Sequence, residues 1–188
     1  SPWITVWRNT ALGYRYSGIH GRCHMEAGPD TEKSLNNILD KLVGRRDYVF
    51  VVLNEAGEGG CAWGDRLGGT MYANNWATAA HEMGHMIGNL GDEYFDPAHP
   101  LNYTGTEPER PNLTIDTNPN HLKWRDFVNP LTPLPTTFDP VTMDPVETAG
   151  AFEGATISSD QFTTGIWRPT SEGRMSTNTP PFGPVNYN

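Results

Sequence analysis

Long apolar runs are missing from this sequence. The longest, YVFVVL at Tyr48 to Leu53, is six residues, far short of the ~20 needed to cross a bilayer as a helix. No membrane span is expected. Basic clusters are missing as well. Thirteen Lys and Arg against 22 Asp and Glu leave a net charge of −9, and with no basic patch to neutralise phosphates, nucleic-acid binding is excluded. Cysteine is scarce: only Cys23 and Cys61 occur, and neither belongs to a CxxC or CxxxC unit. A disulfide between them in an oxidising compartment is preferred over two free thiols. An initiator methionine and a charged-then-apolar leader are both missing before Ser1. This suits a mature secreted chain after removal of a signal or pro-segment, or simply a chosen boundary.

What is present points to one globular domain over residues 1–188. That length buries roughly 70% of the unfolded surface, and the six Trp, seven Tyr and seven Phe can build a core from few aliphatics. WITVW at Trp3–Trp7 alternates as a strand does. In DTEKSLNNILDKLVGRRD, Leu35, Ile38, Leu39, Leu42 and Val43 recur at helical spacing, with Asp30 or Thr31 as cap and Gly44 as stop. YVFVVLN then reads as a buried strand, giving a strand–helix–strand crossover on a sheet. The Gly-rich stretch from Glu55 to Gly69 reads as loop, GGTMYAN as an edge strand, and NWATAAHEMGHMIG as a second helix closed by Gly88. Trp76, Ala80, Met83 and Ile87 form one stripe of that helix, with the two histidines on a neighbouring face. From Phe95 to Pro145 there are ten of the 16 prolines and no sustained period, so irregular chain is expected, with HLKWRDFV as a short helical turn. The tail should add a short helix and a turn. NYT at Asn102 and NLT at Asn112 are tripeptides that could carry glycans.

The chemistry lies in HEMGHMIGNLGDEY, His81 to Tyr94. Residues i and i+4 of a helix stand one above the other, so His81 and His85 can aim both imidazoles at one point. Glu82 is offset by about 100° and can lean over a metal without binding it. Zinc on neutral nitrogen ligands keeps a position open for water, and Glu82 is placed to take that water's proton. The metzincin pattern HExxHxxGxxH puts a third histidine six residues after the second. Here that position is Gly91, which has no side chain. Asp92, one step later, is the favoured third ligand, and Glu93 is its neighbouring rival. Metzincins also carry a methionine in a tight turn beneath the metal, and TSEGRMST offers Met175 as that structural Met-turn.

Several segments together resemble the IgA-peptidase-like zinc metallopeptidases, a family found largely in bacteria. The carriers are HEMGHMIGNLGDEY, DYVFVVLN before a Gly-rich loop, PNLT followed by LKW, FEGA at Phe152–Ala155, and WRPTSEGRM. The resemblance implies a secreted or surface-attached zinc endopeptidase of the metzincin group acting on protein or peptide substrates. His81, His85 and Asp92 would be ligands and Glu82 the general base; Glu153 of the EGA segment receives no role. The fold expected is α/β: a single metzincin-like zinc-protease domain with a twisted, mostly parallel sheet, an active-site helix and a long irregular C-terminal half. One catalytic Zn2+ and a monomer are expected. Eleven Asp and eleven Glu leave room for Ca2+, which no motif supports. The rival reading is a zinc-containing binding or adhesion module with catalysis lost; an intact Glu82 argues against it.

Overall fold

The computed structural model describes residues 12, 14–16, 25–27, 31–41, 47–54, 59–62, 68–137, 148–178 and 181–186. The chain divides into two compact units, Ser1–Glu82 and Met83–Asn188, with the division falling inside one helix. The WITVW segment and Cys23 lie outside the described residues, as do the helix positions beyond Lys41 up to Gly44.

In the first unit, strand β1 (Tyr14–Tyr16) pairs antiparallel with β2 (Met25–Ala27), and helix α1 covers Thr31–Leu39. Strand β3 (Val49–Leu53) forms where the apolar run predicts it but is not the buried strand expected: only Val51 at its centre is buried, and Val52 is exposed. It runs parallel to β5 (Gly68–Tyr72), and β5 also pairs antiparallel with β4 (Gly60–Ala62), giving the order β3-β5-β4. Two expectations change here. The Gly-rich segment is not all loop, since it contains β4. GGTMYAN is not an edge, since β5 has a strand on both sides. Close approach is the physical reason: a Cβ at Gly69 would lie 2.8 Å from the Cys61 carbonyl oxygen, and one at Gly60 2.5 Å from that of Thr70. Lack of side chains here brings two backbones together instead of loosening them. The sheet is therefore mixed, and among the described residues β3–β5 is its one parallel pairing. The protein is an α/β fold of small mixed sheets with few helices.

Helix α2 (Trp76–Gly88) is the second helix. Asn75 caps it by accepting the Thr78 N–H through Oδ1 at 3.2 Å. Its end is turned by Asn89, with φ of 52°, and Leu90 N–H returns to the Gly84 carbonyl at 3.1 Å. The apolar stripe does not face a core. Trp76 is 71% exposed, Ile87 57% and Met83 42%, whereas Thr78, His81, Glu82 and Met86 are buried. Helix period locates two faces of contrasting character but not which one turns inward. Here the face carrying the chemistry does.

The second unit is built on a hairpin that sequence patterning did not reveal. Strand β6 (Phe152–Ile157) pairs antiparallel with β7 (Asp160–Arg168), with an irregularity between Glu153 and Ala155. Helix α3 (Arg174–Thr177) follows. Asp92 and the proline-rich chain after it are laid on this hairpin by single bridges, Asp92 to Thr156, Asn102 to Thr164 and Thr114 to Trp167. Its buried side chains form two clusters, Leu113 with Ala155 and Ile166, and Leu122 with Trp124 and Ala151. The expected helical turn is a 3₁₀ turn at Arg125–Phe127.

Candidate metal centre

His81, His85 and Asp92 each offer a ligand atom, and the three atoms lie within 4.8 Å of one another. The two histidines come from successive turns of α2. The aspartate follows the turn that closes it. His85 Nδ1 lies 2.7 Å from the Leu90 carbonyl oxygen. A carbonyl only accepts, so Nδ1 carries the proton and Nε2 is left as the lone-pair nitrogen a metal needs. That Nε2 faces Asp92 Oδ1 at 3.2 Å. Two ligands about 2.0–2.1 Å from a shared tetrahedral centre stand roughly 3.3 Å apart. Two electron-pair donors at this distance suit a cation between them.

Glu82 is buried beside the histidines, and its Oε2 accepts the N–H of Ala62, at the end of β4, at 2.6 Å. This bond fixes the carboxylate's rotamer and ties it to the edge strand of the sheet. Gly84, inside the motif, explains itself by packing. A Cβ there would lie 2.6 Å from Met175 Sδ and 3.1 Å from Phe182. Met175 is fully buried against this glycine, and it sits in α3.

The empty slot at Gly91 also has a steric cause. A Cβ at 91 would lie 2.4 Å from Leu113 Cδ1 and 3.0 Å from its Cγ, and Leu113 is completely buried. The position packs against the core, so no side chain can leave it. The next three residues are threaded as an extended segment. Thr156 N–H donates to the Asp92 carbonyl at 3.0 Å, Glu93 N–H to that of Met175 at 2.8 Å, and Thr156 Oγ1 to that of Tyr94 at 2.7 Å. Alternation along extended chain sends adjacent side chains to opposite sides. Asp92 goes to the histidines, and Glu93 goes inward.

Glu93 is fully buried and takes no part in the three-residue group. Its Oε1 accepts Asn112 Nδ2 at 2.8 Å and Asn186 Nδ2 at 3.0 Å, and its Oε2 accepts Thr170 Oγ1 at 3.3 Å. Burial pushes its carboxyl above the usual range, opposed by those hydrogen bonds and by the charge of Arg168. Arg168 is itself pushed down to about 10 by burial, against the pull of Glu93. Its guanidinium donates to the carbonyls of Glu153, Gly154 and Ser171 and stacks 4.9 Å over the Phe95 ring. Glu153, left without a role by the sequence, accepts the Gly165 N–H at 2.9 Å across the irregular part of the hairpin.

Two further residues escaped sequence reasoning. Asn112 is fully buried. Its Oδ1 accepts the Gly91 N–H at 2.7 Å, and its Nδ2 donates to the Gly91 carbonyl at 2.9 Å as well as to Glu93. This removes Asn112 as a glycan acceptor, since both amide hydrogens are used inside the protein; Asn102, by contrast, is exposed. Lys123 Nζ donates to the carbonyls of Pro108, Arg110 and Leu113 at 2.5, 2.9 and 2.6 Å and pairs with Glu107 at 2.7 Å. It gathers the loop that carries Asn112. The signal was PNLT followed by LKW, visible as an order of segments but silent about contacts.

A helix offering two histidines and a glutamate, closed by a turn that returns a carboxylate, is equipped to hold a metal ion and to assist hydrolysis. The chain belongs to the IgA Peptidase M64 family, whose model matches residues 1–148. The matched span contains the whole of HEMGHMIGNLGDEY and PNLT…LKW and stops short of FEGA and WRPTSEGRM. No curated protein matches the chain. The protein is therefore a peptidase by family, with protein as its substrate class. No helix among the described residues is long and apolar enough to cross a membrane.

Proposed function

We propose that the protein is a secreted zinc endopeptidase of metzincin-like architecture, its 188 residues forming one catalytic domain that works as a monomer. Cys23 and Cys61 pair in this reading, and no free thiol occurs among the described residues. The observation that carries the proposal is the convergence of His81, His85 and Asp92 within 4.8 Å, beside a glutamate whose one oxygen is already fixed by Ala62. The donor set of two imidazoles and one carboxylate fits zinc with a position left open, a catalytic rather than a structural set. Zinc, when bound, polarises the substrate carbonyl and lowers the pKa of water to about 7.

The chain's own residues do the rest. Glu82 takes the proton of the water whose oxygen bonds to the peptide carbon. It then delivers that proton to the leaving nitrogen as the C–N bond breaks. Ala62 N–H keeps the carboxylate oriented while its charge changes. Met175, buried under Gly84, supports the helix from below as the Met-turn residue. An extended substrate cannot add to β5, which is paired on both sides. β4 ends the strand order β3-β5-β4, and in this reading an extended substrate lies along that side of the sheet. Substrate choice rests on the cleft walls and is not carried over from the family's name.

Unfolded casein incubated with metal-replete protein tests this. Cleavage that stops with a chelator, returns with zinc and is lost in Glu82→Ala is the expected result. Intact casein, with Glu82→Ala indistinguishable from the parent protein, would overturn the enzyme reading in favour of a non-catalytic module.

A further inference from the structure

We infer that Asn112 is the positioning residue for Asp92, doing through the backbone what the side chain missing at Gly91 cannot. The inference rests on the proposed metal centre and deepens it. Asp92 has to reach the histidines from a turn one residue longer than the pattern with a third histidine. A lengthened turn has more ways to place its carboxylate, so something must select one. Asn112 grips both flanking residues. It pairs with Gly91 through N–H and carbonyl, as a strand neighbour would, and with Glu93 through the carboxylate. Its amide is fully buried, so water does not compete for these bonds. On the other side of Asp92 the backbone is held by Thr156 and Met175. The peptide either side of Asp92 is thereby fixed, and the short aspartate side chain has one direction left.

The same chemistry extends outward through Lys123. Three carbonyls of the 108–113 loop converge on its ammonium group, closing the loop around Asn112. Lys123 touches none of the metal-binding residues in any of these bonds. Its removal therefore reaches the metal only through the loop.

The test is zinc affinity of the purified protein by competition with a chromophoric chelator, read independently of peptidase activity. Asn112→Asp keeps size and the acceptor for Gly91 N–H but loses the donors to Gly91 O and Glu93, and sets a carboxylate against Glu93. Zinc affinity should fall about 10-fold, the low end of the scale for losing a partner outside the ligands, because Asn112 reaches Asp92 only through Gly91 and Glu93. Glu93→Gln added to Asn112→Asp restores a donor between the two positions and should recover part of that loss. Lys123→Met, which leaves every bond of Asn112 in place, should weaken zinc by a smaller factor and serves if Asn112→Asp does not fold. Affinities within twofold of the parent protein in whichever of these variants fold would overturn the inference, leaving Asn112 a merely structural residue. A parent protein that binds no zinc would overturn the metal centre itself, a result distinct from equal binding by parent and variants.

Discussion

A single methyl group at position 91 tests whether the absence of a third histidine there is a packing requirement. In Gly91→Ala the new Cβ would stand 2.4 Å from Leu113 Cδ1, 3.0 Å from Leu113 Cγ and 3.2 Å from Arg110 Cγ. Leu113 has no exposed surface and packs on Ala155 and Ile166, so it cannot swing away without displacing the hairpin. Overpacking of this kind costs about 1–3 kcal/mol. Leu113→Ala alone opens a cavity and costs roughly 2–5 kcal/mol, but it also removes the atoms that the new methyl would strike. The double variant should therefore be more stable than the sum of the singles predicts, by about 1 kcal/mol or more. Urea unfolding in the presence of a chelator measures all four proteins without a contribution from bound metal. Gly91→Ala within about 0.5 kcal/mol of the parent protein, or strict additivity with Leu113→Ala, would refute the steric cause. Gly91→His would then open a route to a third histidine. With Leu113 packed against position 91, the imidazole has no room and the substitution unfolds the turn instead.

Further outcomes are expected. Chelation should lower the melting temperature, and added zinc should restore it in a concentration-dependent way, because a ligand bound only by the folded state stabilises it by mass action; scanning calorimetry across a zinc series checks this. Trp124→Phe should cost about 1–3 kcal/mol in urea unfolding, since the indole N–H donates to the buried Gly150 carbonyl at 2.6 Å. Arg168→Met should be among the most damaging single changes, about 3 kcal/mol, because it leaves the buried carbonyls of Glu153, Gly154 and Ser171 without their charged donor and removes the positive charge that opposes the burial of Glu93. Near-parent stability by urea unfolding would contradict it. At Glu107, partial burial pushes the carboxyl up, but hydrogen bonds from Lys123, Ile115 N–H and Thr114, with the Lys123 charge, outweigh it and hold it below its ordinary value of 4.5. A depressed carboxyl stabilises the folded state above its unfolded pKa and loses that contribution as pH falls through the folded one. Glu107→Gln should therefore be less stable than the parent protein at neutral pH, by no more than about 1 kcal/mol for so exposed a pair. The gap should close below about pH 4.5, as pH-series denaturation would show.

Local rules were enough for the elements whose information is local. Helix α2, its histidine spacing and its stop at Gly88 follow from period and capping, and β3 from its β-branched run. The choice between Asp92 and Glu93 was not local. Both are short acids in adjacent positions, and which one turns to the histidines depends on backbone bonds to Thr156 and Met175, more than 60 residues away in sequence. The glycines misled for a related reason. Gly60 reads as loop because glycine's propensity is low in strands, yet Gly60 and Gly69 are each required where another backbone comes close. Which face of α2 turns inward was not local either: the stripe of Trp76, Met83 and Ile87 is exposed, and periodicity carries no sign.

The sequence by itself determined the chemistry on offer: two imidazoles and a glutamate at helical spacing, an acid just past the helix end, and no side chain where a third histidine belongs. Only the tertiary structure decided what that gap means. Gly91 lies against the Leu113 core, Asn112 takes hold of the turn in its place, and Asp92 is delivered to His85 while Glu93 is sealed inside with Arg168. Helix geometry is set by neighbours three and four residues away. The position of an aspartate in an irregular turn is set by whatever long-range partners satisfy the backbone around it.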